Sequence, residues 1–334
     1  MLPDDGRFGS GPTKIRHEQI EDLVHAADTL LGTSHRQKPV KAVVESIREG
    51  MTRFFNLPAG YEVVLGNGGA SAFWDIACCS LVTRKAACGV YGSFTKKMAV
   101  SAASAPFLEK PAVFESDYGT YRLPEFTEDA DAYFWAQNET STGVATPVKR
   151  VPGSVDQGAL TIVDATSAAG ALPVDISETD AYYFSPQKAF GSEGGLWVAI
   201  LSPVAIERAQ AIKENATIPG SIRWIPPFLS LTSAIDNSRK NQTLNTPALA
   251  TLVLMDSQIQ YLNENGGMDW AAARCKRSAT IVYDWAEASS YATPFVSDLD
   301  ARSNAVVTVD IDESIPVSDV LEALRANGIV DVNG

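Results

Sequence analysis

Apolar residues in this chain gather in short blocks between polar turns, with longer stretches of helical spacing between the blocks. Tyr61-Glu-Val-Val-Leu65, Asp131-Ala-Tyr-Phe-Trp-Ala136, Leu160-Thr-Ile-Val163, Ala181-Tyr-Tyr-Phe-Ser185 and Leu196-Trp-Val-Ala-Ile-Leu201 each read as a strand. All are short, apolar or aromatic, and bounded by polar residues. Ala70 to Leu81 reads as an apolar helix entered from a turn at Gly66-Asn-Gly-Gly69. Strands alternating with helices predict an α/β fold with a mostly parallel sheet. In such sheets ligands sit beyond the carboxyl ends of the strands. Further along, Pro247 to Asn263 and Trp270 to Ser289 read as helices, Asn304 to Asp310 as a strand, and Val317 to Ala326 as a helix closed by Asn327-Gly328. This tail predicts a smaller α+β domain.

Two strand ends carry candidate chemistry. Lys188 follows the aromatic strand and is surrounded by small residues and glycines in Ser185-Pro-Gln-Lys-Ala-Phe-Gly-Ser-Glu-Gly-Gly195. A lysine whose stem lies among apolar groups loses its proton more easily and can attack a carbonyl to form a Schiff base. A solvated lysine in a glycine-rich loop is the plainer alternative. Asp164 ends Leu160-Thr-Ile-Val163. A carboxylate there can hold a pyridinium nitrogen charged, as a pyridoxal phosphate ring requires, or can cap the following segment. One strand–helix–strand step separates Asp164 from Lys188, which places them on neighbouring strands. Gly66-Asn-Gly-Gly-Ala-Ser71 offers backbone N–H groups at a helix start, suited to an anion, or is simply a tight turn. Ser34-His-Arg36 offers an anion clamp or a solvated loop. Asn138-Glu-Thr-Ser-Thr-Gly143 offers hydroxyls and amides to a ligand, or a hydroxyl turn.

Composition narrows the field. A chain of 334 residues with ordinary apolar content suits a soluble protein of two domains. The net charge of −13 argues against a nucleic-acid partner and requires any anion site to be built locally. No apolar run approaches the ~20 residues of a membrane span, and no secretory signal is visible. The four cysteines, Cys78, Cys79, Cys88 and Cys275, lack metal-ligand spacing and fit a reduced, cytoplasmic setting. His17, His25 and His35 are too scattered for a zinc site, so no metal is expected.

Seven spaced segments together resemble the phosphoserine aminotransferases, fold-type-I enzymes dependent on pyridoxal 5′-phosphate (PLP), in their actinobacterial branch. They are Phe8-Gly-Ser-Gly-Pro12, Gly32-Thr-Ser-His-Arg36, Gly68-Gly69, Asn138-Glu-Thr140, Asp164, Gln187-Lys188 and Asn245-Thr-Pro247. The resemblance implies a large PLP-binding domain over 12–258 and a small domain from 1–11 and 259–334. It implies that Lys188 forms the Schiff base and moves the proton of substrate Cα, and that Asp164 pairs with the pyridine nitrogen. It gives Thr140 the phenolic oxygen of the ring, and Phe94 the ring face, where many relatives place tryptophan. It gives the amides of Ala70 and Ser71 and the Gln187 side chain the phosphate. Asn245 and Thr246 would reach the cofactor phosphate of a neighbouring subunit, which makes the active unit a homodimer. His35 and Arg36 would receive the distal anionic group of the substrate. The implied substrates are glutamate, phosphoserine, 2-oxoglutarate and 3-phosphohydroxypyruvate, in serine or vitamin B6 synthesis. Relatives often carry arginine at the position of Ser71. They also continue for several tens of residues past the position of Gly334, where an arginine for the α-carboxylate is expected. An alanine–glyoxylate-type aminotransferase, a cysteine desulfurase and a non-enzymatic protein of the same fold are the alternatives.

Overall fold

A computed structural model of the chain describes residues 5–218 and 221–332. Residues 1–4 and 333–334, at the two ends of the expected small domain, lie outside the described residues. In chain order the first half holds α1 (His17–Ala27), α2 (Lys38–Phe54), β1 (Glu62–Asn67), α3 (Ala70–Ser80), β2 (Ala86–Val90), α4 (Ser93–Ser104), β3 (Ala112–Glu115), β4 (Ala132–Ala136), β5 (Asn138–Glu139), β6 (Val144–Ala145) and β7 (Leu160–Asp164). The second half holds β8 (Ala181–Phe184), β9 (Leu196–Leu201), α5 (Pro203–Ala216), α6 (Leu231–Ser238), α7 (Leu249–Glu264), α8 (Gly267–Ala288), β10 (Ala292–Pro294), β11 (Val309–Ile311) and α9 (Val317–Ala326).

Seven strands form one sheet in the order β1-β9-β8-β7-β4-β2-β3. Neighbours run parallel except β9, which is antiparallel to both β1 and β8. The central strands are apolar on both faces because both faces are covered, the usual condition of a parallel sheet. Alternation then sorts their residues. Tyr133, Trp135, Val163, Tyr182 and Phe184 face one core, together with α2 and α7. Phe134, Ile162, Ala181 and Tyr183 face the other, with α3, α4, α5 and α6. In α2, buried Val40, Val44, Ile47, Met51 and Phe54 repeat at three- and four-residue steps, so one stripe of the helix lies on the sheet. A mostly parallel sheet sandwiched by helices agrees with the α/β expectation.

Several elements depart from the sequence pattern. β1 extends through Gly66 and Asn67, which were expected to turn, because they pair with Trp197 and Leu196 of β9. Glycine is required there: a Cβ at Gly66 would lie 2.1 Å from Trp197 Cζ2. The crossover from β7 to β8 contains a single 3₁₀ turn, Ile176–Glu178, rather than an α-helix. The strand expected over Asn304–Asp310 shrinks to Val309–Ile311. Upstream, the amides of Ala305 and Val306 bond the Ser303 hydroxyl at 2.9 and 3.0 Å, which takes them out of any ladder. α7 runs unbroken through position 258.

Residues 6–8 pair with the chain's far end: Val330 N donates to Gly6 O at 2.8 Å and Phe8 N to Val330 O at 3.1 Å. No helix among the described residues is long and apolar enough to cross a membrane.

Candidate active site

The carboxyl ends of β1, β4, β7 and β8 lie along one edge of the sheet, and the candidate residues gather there. β8 leads into Ser185–Lys188, and the Gly191 amide folds back onto the Lys188 carbonyl at 2.8 Å. The segment after Phe8 covers this turn. Thr13 N donates to Gln187 O at 2.8 Å, and the Thr13 hydroxyl bonds the Lys188 carbonyl. Gly11, at φ +134°, rests on the lysine stem; a Cβ there would meet Lys188 Cγ at 3.0 Å. The amine donates to Thr140 Oγ1 at 3.0 Å. Thr140 in turn donates to Ser167 Oγ at 2.9 Å, and Ser167 to the Asn138 carbonyl at 3.0 Å. Burial pushes the Lys188 amine from its ordinary 10.5 down to about 8, against the opposing pull of Asp164 and Glu139.

Asp164 ends β7 beside Tyr183 of β8 and is buried on the α3 side of the sheet. Its Oδ2 accepts the Trp74 indole N–H at 3.0 Å and the Tyr183 hydroxyl at 3.1 Å. Its Oδ1 accepts the Thr166 amide at 2.9 Å. A carboxylate offers about four lone-pair sites, so one remains, on Oδ1.

Ala70 and Ser71 open α3, whose first turn has neither a side-chain cap nor an acidic residue. A Cβ added to Gly69 would lie 3.9 Å from Ser185 Oγ, which brings this helix start to the Lys188 turn. Gln187 Oε1 is buried there without a hydrogen-bond partner among the described residues. Phe94 stands at the start of α4 with 41% of its surface exposed.

His35 and Asn245–Thr246 form a second group. Asn67 Nδ2 donates to the carbonyls of Asn245 and Thr246, both at 3.3 Å, beside the Gly68 turn. The Thr246 hydroxyl meets His35 Nδ1 at 3.2 Å. His35 is buried, and its Nε2 lacks a partner among the described residues. Burial, then the adjacent Arg36 charge, lowers its proton affinity and favours neutral imidazole. Arg36, Asn245 and Thr246 are exposed.

A family model described as aminotransferase class-V matches residues 117–334. Over 331 residues the chain is 52% identical to phosphoserine aminotransferase from Rhodococcus jostii and 51% identical to that from Rhodococcus opacus. Each match covers 99% of this chain and 87% of the relative. The chain belongs to the phosphoserine aminotransferase family. It is an aminotransferase of class V. A solved phosphoserine aminotransferase from Cytophaga hutchinsonii shares the fold, with a TM-score of 0.84 at 24% identity over 97% of this chain and 88% of that one.

Three residues that contact the candidate site escaped the sequence reading. Glu139, wholly buried, receives the amides of Phe94 at 3.2 Å and Thr95 at 2.8 Å, and the Thr95 hydroxyl at 3.0 Å. It thereby caps α4 from another part of the chain. A Cβ at Gly92 would lie 2.2 Å from Glu139 Cγ, so this approach depends on glycine. Trp74 and Tyr183, the donors to Asp164, read only as core aromatics. Nothing local in the sequence joins any of these residues to its partner. The thiols of Cys78, Cys79 and Cys88 are buried, and burial pushes all three up, Cys88 to about 12. That is the opposite of a desulfurase nucleophile.

Proposed function

We propose that this aminotransferase moves the amino group of glutamate onto 3-phosphohydroxypyruvate, giving 3-phosphoserine and 2-oxoglutarate, with PLP as cofactor. Serine biosynthesis, a further use in vitamin B6 synthesis, a cytoplasmic location and a homodimer with shared sites belong to the same reading. So does the division into domains at 12–258 and at 1–11 with 259–334. The observation that carries it is the Lys188 amine, low in proton affinity and 3.0 Å from the Thr140 hydroxyl, on the sheet edge that also holds Asp164. The Rhodococcus relatives, both phosphoserine aminotransferases, support the substrate class.

The residues present fit PLP. The start of α3 is uncapped, Gln187 Oε1 is buried and unpartnered, and Asp164 Oδ1 keeps one acceptor site. Lys188 would hold the cofactor covalently, Asp164 its ring nitrogen, Thr140 its phenolic oxygen and Phe94 its ring face. The amides of Ala70 and Ser71, with Gln187, would hold its phosphate, and Asn245 and Thr246 would reach the phosphate bound by the neighbouring subunit. Bound PLP supplies an electron sink for the pair left at substrate Cα. Lys188 is the base that removes the Cα proton. Its lowered proton affinity raises the neutral fraction at pH 7 roughly 300-fold over an ordinary lysine. Thr140, fixed by its own donation to Ser167, orients the amine. Arg36 supplies charge for the distal anion of the substrate, and neutral His35 a hydrogen bond.

The test is spectral. Loaded with PLP, the protein should show a visible absorbance band that bleaches with glutamate or phosphoserine and not with alanine. Bleaching by alanine with no response to phosphoserine would overturn the substrate assignment.

A further inference from the structure

Asp164 is buried, and its carboxylate makes no ion pair among the described residues. Neutral donors stabilise it instead: the Trp74 indole, the Tyr183 hydroxyl and the Thr166 amide. We propose that Trp74 and Tyr183 are positioning residues that fix the Asp164 carboxylate by its Oδ2 and leave Oδ1 for the cofactor nitrogen; this rests on the PLP reading.

Three observations support the proposal. Both side-chain bonds end on Oδ2, so the remaining acceptor site is on the other oxygen. Tyr183 cannot swing away, because its ring stacks on Phe73 at 4.4 Å between centroids. Burial pushes its phenol well above the ordinary range, so it remains a donor. Finally, Trp74 lies one helical turn after Ala70 in α3. One rigid helix therefore presents the phosphate-facing amides at its start and the Asp164 donor one turn later. It sets the distance between the two ends of the cofactor. Among the described residues Tyr183 bonds Asp164 directly, Tyr182 and Tyr91 act on it from the other core, and Lys188 acts on it from the next strand end. Lys188 is the one cation among them. With these donors in place the carboxylate is held where it could support a cationic ring nitrogen; without them that support weakens.

Tyr183→Phe removes one oxygen, and Trp74→Phe removes the indole N–H. Both would be compared with the wild type after loading with PLP, and again with N-methyl-PLP, whose ring nitrogen is permanently cationic. Each lost bond should lower kcat about tenfold or more and weaken PLP binding by a similar factor. KM for glutamate should stay within about twofold, since the bonds act on the reacting system and not on the distal anion site. With N-methyl-PLP the gap between variants and wild type should narrow, because the ring charge no longer depends on Asp164. If Trp74→Phe fails to fold, the smaller Tyr183 change still decides. A Tyr183→Phe enzyme with wild-type kcat and PLP affinity would sink the inference, and so would a loss that persists in full with N-methyl-PLP. A wild-type chain that takes up no PLP would instead sink the cofactor reading itself, and this inference with it.

Discussion

Lys188 destabilises the cofactor-free protein at neutral pH. Its folded pKa of about 8 lies below the unfolded 10.5, so the folded chain binds fewer protons between these values. The penalty is complete below pH 8, is relieved as pH rises from 8 to 10.5, and is absent above that. At pH 7 it amounts to about 3 kcal/mol. Lys188→Met in the cofactor-free protein should therefore raise Tm below pH 8, with the gain shrinking toward pH 10. Thermal unfolding across pH 6.5–10 measures this, and a gain independent of pH would contradict it. Glu139 makes the opposite case. Its carboxylate satisfies two amides and a hydroxyl of α4, so Glu139→Ala leaves buried donors unpaired. The expected cost is about 2–3 kcal/mol in denaturant unfolding, with a parallel weakening of PLP binding as Phe94 loses its place.

At the scale of elements, the join of β1 to α3 is the most sensitive. Gly66→Ala would drive a methyl into the Trp197 indole, a rigid partner paired across the sheet. A loss of about 1–3 kcal/mol in chemical denaturation is expected, with the start of α3 displaced and phosphate affinity reduced. β4, β7, β8 and β9 were legible in the sequence because burial on both faces makes them continuous apolar runs. β2, Ala86-Ala-Cys-Gly-Val90, was not, since alanine and glycine carry little strand preference and its pairing with β3 and β4 decides it. The region before β11 misled in the other direction. Its Val-Val-Thr-Val pattern suits a strand, but Ser303 takes the amides first. Lys188, Thr140 and Asp164 were readable as candidates because each stands in a motif or at a strand end. Glu139 was passed over inside such a motif, since α4, its partner, lies some 45 residues upstream.

For the whole molecule, the proposed sharing of sites between subunits has a direct test. Asn245 is exposed, so Asn245→Asp should leave the fold intact and place a carboxylate against the neighbouring phosphate. Mixed dimers of Lys188→Ala and Asn245→Asp chains then contain one site with both defects and one with neither. Equal mixing after dissociation and reassociation should restore about one quarter of wild-type activity from two nearly inactive parents. No recovery would place Asn245 in the site of its own chain.

The pairing of residues 6–8 with Val330 has a consequence for synthesis. The strand ends that carry Asp164 and Lys188 leave the ribosome early. The segment that crosses the lysine leaves earlier still, yet its anchor, Val330, is made well after Lys188. At roughly 5–20 residues per second, the lysine waits on the order of 10–30 s between its own translation and that of Val330. The nascent chain thus completes its reactive edge before it can secure the cover over it.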